Sequence, residues 1–312
     1  MSDLVEVAKK ILLENRRAGY TLPTNNKLYP AQWNWDSAFI SLGYSYFNLD
    51  YAIQELETLL KGQWDDGMVP HILFHEVDDS YFPNHTTWSC GKEIPSSGIT
   101  QPPIAASILR IIVKNNSLDE TQNKKVFNLV CKLKKYHEWF FKNRDQNQSG
   151  LISIIHPWES GYDNSPLWDF ALSKINVDKN LSYERRDLKV SNNDERPLNK
   201  DYDCYITLLN QFKSDNYNPN KLLNNSMFNI IDIGFNSIFL KANKDLIELL
   251  KLFKLDYLDL EEKIKKTENK IFDLYNEKEN MFFSFDLKNN VQIKIPSLTN
   301  FFILFADLNN DE

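Results

Sequence analysis

Glycine is scarce in this chain, nine residues in 312, well under the usual share of about 7%. Turn-rich all-β architectures and glycine-lined phosphate loops are disfavoured by that shortage. Cysteine is scarcer still. Cys90, Cys131 and Cys204 are odd in number, far apart and form no CxxC pair, which excludes a disulfide framework and a thiolate zinc site and reads as reduced, intracellular thiols. No apolar run approaches the length needed to span a bilayer. The first twenty residues are amphipathic and lack the apolar core and cleavage site of a signal peptide, so a soluble cytoplasmic protein is expected. Basic charge is also lacking: 36 Lys and Arg against 43 Asp and Glu leave a net charge of −7, without the clustered cations a nucleic acid requires.

Helical periodicity is what the chain does have. Apolar residues at helix spacing mark residues 3–17, 35–47, 49–61, 102–116, 119–143, 200–214, 227–242, 244–253, 256–277 and 298–307, so an all-α fold of about ten helices is expected, read as one domain over residues 1–312. Short β-like pieces stand only at 151–155 and 281–285. Six glycines fall between residues 62 and 161, where the sharply turning loops should lie. Two connections are long: 63–100, rich in Trp, His, Pro and Gly, reads as an ordered site loop, and 173–200, charged and polar, as a mobile lid.

All seven tryptophans and all five histidines precede residue 169. Flat aromatics beside a few carboxylates and amides suit a sugar ring, with its apolar face and polar rim. Core filling is the bland alternative. The densest clusters are 28–39, LYPAQWNWDSAF, with Trp33, Trp35 and Asp36, and 156–169, HPWESGYDNSPLWD, with Trp158, Glu159, Asp163 and Asp169. Asp36 alone reads equally as a helix N-cap, and Asp163 to Ser165 as Asx turns. A loop-held acid near aromatics is half of what glycosidic cleavage needs. Metal readings fail: His71 and His75 lack the helix that would align them, and the calcium-like start at Asp145 has His156 where a bidentate Glu belongs. Nothing calls for a cofactor.

These segments, with GMVPHILF (67–74), YFP (81–83), GITQPPIAA (98–106), ERPLNKDYDCY (195–205) and IDIGFN (231–236), occur in family order, and the chain resembles glycoside hydrolase family 63, nearest to the bacterial mannosylglycerate and glucosylglycerate hydrolases. The resemblance implies an (α/α)6 barrel that cleaves with inversion. It makes Asp163 the match of the general acid, Trp33 and Asp36 of residues holding the sugar, and Tyr29, Tyr81, Gln101 and Tyr202 of positions that contact the aglycone or close over it. Trp35, Trp158 and Glu159 join the expected substrate-binding set from the two clusters. In the family a Glu that activates water lies beyond the segment matching 295–305; with about ten helices where twelve are needed, the last hairpin and this base are expected to be absent. The expected partner is a small carbohydrate, neither nucleic acid nor membrane, with self-association left open. A sugar-binding relative without hydrolysis is the competing expectation.

Overall fold

The structure, a computed structural model, describes residues 2–24, 28–189 and 196–308. It divides into two compact units, residues 1–136 with 183–196, and residues 137–182 with 197–312. Among the described residues no helix is long and apolar enough to cross a membrane.

In the first unit α1 (Ser2–Asn15) is followed by β1 (Gln32–Trp33), α2 (Asn34–Ser45) and α3 (Leu49–Lys61). Asn48 caps α3 by accepting the Tyr51 N–H at 3.1 Å, satisfying one of the orphan donors of a helix start. Ala52, Ile53, Leu56, Leu59 and Leu60 then bury one face, and α2 packs against it. The helix ends at Gly62, where an added Cβ would collide with the Leu73 side chain. Next come β2 (Ile72–Leu73), α4 (His85–Trp88), β3 (Cys90–Gly91), β4 (Pro95–Ser96) and α5 (Ala105–Asn115). These two-residue strands form a sheet in the order β1-β2-β4-β3, with Gln32 opposite Leu73 and Trp33 opposite Ile72. The long 63–100 connection is thereby pinned to the segment carrying Trp33. α5 starts at Ala105, three residues later than its apolar pattern, because Pro102 and Pro103 lack the N–H groups of a helix interior.

The division between units falls within α6 (Glu120–Asn143), after Tyr136. The second unit continues with β5 (Ser153–Ile154), α7 (Asp169–Ser173), α8 (Asn199–Ser214), α9 (Pro219–Asn225), β6 (Ile230–Ile231), α10 (Ile233–Leu252) and α11 (Leu258–Ile271). A hairpin of β7 (Tyr275–Asn276) and β8 (Met281–Phe282) follows, then β9 (Ser284–Asp286) and β10 (Val291–Ile293), the last two joining a sheet ordered β10-β9-β6-β5. Leu298–Ala306 is a 3-10 stretch packed on α10.

The two helices expected at 227–242 and 244–253 are one helix, α10. The polar KANKD stretch that suggests a break is satisfied in place: Asn243 Oδ1 faces His137 Nδ1 at 2.9 Å while its amide donates to the Phe239 carbonyl, and Lys241 donates to Asp245 at 2.7 Å. Polar residues with partners do not end a helix.

Candidate functional site

Trp33 follows directly from the strand pairing. It is 5% exposed and meets Tyr29 and Tyr81 edge to face, with ring centroids 5.1 and 5.5 Å away, and His71 at 6.4 Å. Trp35 lies half-buried on the first turn of α2, and its backbone N–H donates to Gln101 Oε1 at 3.0 Å. Tyr29, Trp33, Trp35, Tyr81 and Gln101 therefore belong to one neighbourhood of the first unit. Asp36 is not the N-cap: α2 opens at Asn34 after Trp33, without a side-chain cap. Asp36 sits in the first turn, and burial raises its pKa to about 6, partly offset by a backbone hydrogen bond.

Behind this neighbourhood is a network that sequence reasoning missed. Glu55, on the buried face of α3 and 2% exposed, accepts hydrogen bonds from Ser37 Oγ at 2.7 Å, Thr21 Oγ1 at 2.8 Å and Gln32 Nε2 at 3.1 Å. Gln32 and Ser37 flank Trp33 and Asp36 in sequence, so Glu55 ties down the strand and helix turn that present them. Gln32 uses its amide as a donor, so its oxygen accepts from His75 Nε2 at 2.7 Å, and burial lowers the His75 pKa to about 4, keeping that ring neutral. His75, weighed with His71 as a metal pair and set aside, is engaged in this way. Among the described residues no group of three or more His, Cys, Asp or Glu is placed to hold a metal.

Residues 183–189 and Arg196 add a second missed feature. Arg196 donates through Nε to Asp187 at 2.9 Å and through Nη1 to the Tyr29 hydroxyl at 3.2 Å, and Arg185 donates to the same Asp187 at 2.7 Å. Burial works against the charge on Arg196, but Asp187 and Tyr29 outweigh it and raise its pKa. Burial likewise opposes ionisation of Asp187, yet the two guanidiniums hold its carboxyl below the usual range. The Tyr183 ring stacks on Phe82 at 5.4 Å, so this part of the expected lid is pinned to the first unit, while Glu195 of its motif lies outside the described residues.

In the second unit the 156–169 loop is held from three sides. Glu159 is fully buried with both carboxylate oxygens engaged, one by Arg144 Nη2 at 2.9 Å and the other by the Ile155 N–H at 2.8 Å. This corrects its expected contact with substrate: an enclosed carboxylate paired to a buried guanidinium holds the loop from within. Trp158 is also largely buried, edge-on to Tyr202 at 6.1 Å and tilted against Tyr205 and His156 at 5.4 and 4.5 Å. Tyr202 itself is 4% exposed. Asp163 is half-buried; its carbonyl accepts the Tyr205 hydroxyl at 3.2 Å, and the carbonyl of Tyr162 accepts Trp168 Nε1, also at 3.2 Å. Trp88, Trp139 and Trp168 are core residues, each no more than 2% exposed, as the bland reading had it. The calcium-like start at Asp145 closes on its own loop, the carboxylate accepting the Ser149 and Gly150 N–H groups, each at 2.7 Å.

The chain is similar to known proteins in sequence and in fold. The family model for the mannosylglycerate hydrolase MGH1-like glycoside hydrolase domain matches residues 29–312. The mannosylglycerate hydrolase of Thermus thermophilus is 40% identical over 304 residues, 96% of this chain and 72% of its own length. The glucosylglycerate hydrolase of Mycolicibacterium hassiacum is 33% identical over 248 residues, 75% of this chain and 56% of its own. The crystal structure of a GH63 mannosylglycerate hydrolase from Thermus thermophilus in complex with Tris and D-glycerate superposes with a TM-score of 0.93 at 40% identity, over 97% of this chain and 73% of that one. The helical fold is that of the (α/α)-barrel glycosidases.

Proposed function

We propose, because the chain belongs to the mannosylglycerate hydrolase MGH1-like glycoside hydrolase family, that it hydrolyses the O-glycosidic bond of a small mannosyl or glucosyl substrate whose aglycone is a glycerate-like carboxylate. Arg196 beside Tyr29 is the observation that carries the aglycone class. A guanidinium kept charged next to a residue expected at the aglycone is the partner a carboxylate needs, and D-glycerate is bound in the related Thermus structure. Tyr29, Tyr81 and Gln101 supply hydroxyl and amide groups to the same part of the substrate.

Trp33 offers its ring to the sugar and Asp36 its carboxyl to the sugar hydroxyls, with Trp35 beside them. Asp163 is the general acid. Its proton passes to the glycosidic oxygen as the C1–O bond breaks, and the aglycone leaves as an alcohol. Water adds to C1 from the opposite face and gives its proton to a second carboxylate, a role that the family resemblance gives to a Glu beyond the segment matching 295–305 and to none of the residues named above; in an inverting enzyme the two carboxyls stand about 6.5–9.5 Å apart to admit that water.

Incubating the chain with mannosylglycerate and glucosylglycerate and following the released sugar by proton NMR tests the proposal, since the first-formed anomer reports inversion. Asp163→Asn should lower kcat on either substrate by about 100- to 10,000-fold with little change in KM, the range expected for loss of a general acid. Turnover by Asp163→Asn at the parent rate would remove Asp163 from this role. Binding of mannosylglycerate or glucosylglycerate without turnover by the parent chain would favour a sugar-binding relative instead.

A further inference from the structure

The IDIGFN segment carries no sugar-facing role in the proposal above, yet its polar residues all reach into the segment leading to Asp163. Asn236, fully buried, clamps Ile152 from both sides, accepting its N–H and donating to its carbonyl, each at 2.8 Å. Asp232, also fully buried, caps α10 through the Phe235 N–H at 2.7 Å and accepts Ser284 Oγ at 2.8 Å. Its Oδ1 also accepts the hydroxyl of Tyr162, the residue immediately before Asp163. Gly234 lies between them: a Cβ there would come within 2.6 Å of the Tyr162 hydroxyl and 3.2 Å of Asp232 Oδ1. That gap closes for any larger residue, so the glycine keeps the hydroxyl's path to the carboxylate open.

The Tyr162 ring stacks on Trp168 at 5.7 Å and 15°, and its carbonyl is held by the same Trp168. Side chain and backbone of the residue before Asp163 are thus both fixed to groups in the core. A half-exposed loop carboxyl could otherwise wander by more than proton transfer tolerates, and misplacement by about 1 Å can cost 100-fold.

We propose that Asp232, Tyr162 and Gly234 form a positioning device that aims the Asp163 carboxyl at the leaving-group oxygen. The inference rests on Asp163 being the general acid. It assigns the IDIGFN motif to placement of that acid rather than to substrate contact.

The test compares the full chain with Tyr162→Phe, Gly234→Ala, Asp232→Asn and Asp163→Asn on two substrates: mannosylglycerate or glucosylglycerate, whose leaving group needs a proton, and the glycosyl fluoride of matching anomer, whose leaving group does not. Tyr162→Phe keeps the stacked ring and removes only the hydroxyl. It should lower kcat on the glycerate substrate about 10- to 100-fold with KM changed less than about 2-fold, while the fluoride is cleaved near the parent rate; Gly234→Ala should act in the same direction. Asp232→Asn, which still offers an oxygen to both Tyr162 and the helix N-terminus, should retain most of the parent kcat. Equal losses on both substrates mean a merely structural role and overturn the inference, as does parent-like kcat on the glycerate substrate in Tyr162→Phe. Full activity of Asp163→Asn would instead sink the acid assignment. Amide exchange gives a readout that needs no turnover: exchange over residues 160–166 should quicken in Tyr162→Phe while that of α3 stays unchanged, and unchanged exchange over 160–166 would also overturn the device.

Discussion

Glu55 and His75 show how two titratable side chains joined through one amide pull stability in opposite directions with pH. Burial raises the Glu55 pKa from 4.5 to about 7, against hydrogen bonds from Ser37, Thr21 and Gln32 that lower it. The folded protein therefore keeps a proton that the unfolded chain has lost, so this contribution is full below about 4.5 and disappears as pH rises through 7. His75 runs the other way: its pKa falls from 6.5 to about 4, so its contribution is lost as pH falls through that window. The parent's pH profile mixes the two. In the difference between Glu55→Gln and the parent the histidine cancels, and urea unfolding should show the variant gaining about 2–3 kcal/mol relative to the parent between pH 4.5 and 7. A flat difference across that range would mean that Glu55 is ionised throughout.

At this scale the sequence shows the aromatic members of the site readily and its cations and supports poorly. Trp33, Tyr81 and Asp163 stand in segments dense with side chains of one chemical purpose. Arg196 is one of many charged residues in a polar stretch, and only the fold brings it to Tyr29, 167 residues away in sequence. Glu55 did leave a signal: it shares the helical face of Ala52, Leu56 and Leu59, and a carboxylate on an apolar face must find partners. Glu159 misled because an acid in an aromatic loop reads the same whether it faces a ligand or a buried arginine.

Among elements, α10 is the one on which the second unit depends most plainly. Phe239, fully buried, meets Phe140 and Phe141 of α6 at 5.2 and 4.9 Å and stacks on His137 at 5.7 Å. Phe239→Ala should cost about 3–5 kcal/mol, the usual range for emptying so large a buried site, visible as a lower urea midpoint; a loss below about 1 kcal/mol would mean that the surrounding rings collapse into the space. The helices themselves were legible because their apolar residues repeat at helical spacing, and α3 (Leu49–Lys61) coincides with the expected 49–61. Boundaries failed where local chemistry overrode periodicity, as at Pro102 and Pro103 before α5. β5, β8 and the start of β9 fall within the β-like pieces expected at 151–155 and 281–285, whereas the other two- and three-residue strands left almost no pattern to read, since alternation needs more residues than they contain.

For the whole molecule, the net charge of −7 sets a conflict with the proposed substrate. A glycoside of glycerate keeps a free carboxylate and is an anion, and a negative protein repels it at long range, whereas Arg196 attracts it at contact. Salt separates the two because screening acts over about 10 Å at 0.1 M and affects exposed, distant charges most. If the contact dominates, KM for the glycerate substrate should rise by about 3-fold from about 0.02 to 0.3 M salt, as the carboxylate and guanidinium are screened, while KM for the neutral glycosyl fluoride stays constant. Arg196→Gln should raise KM for the glycerate substrate by about 30-fold or more, the loss expected when one member of a desolvated charge pair is removed. It should also reverse the salt slope, because only the long-range repulsion is left to be screened. A KM for the parent that falls with salt, or an Arg196→Gln variant with the parent's KM and slope, would show that the substrate's carboxylate is held elsewhere and that Arg196 serves only to lock Asp187 to Tyr29.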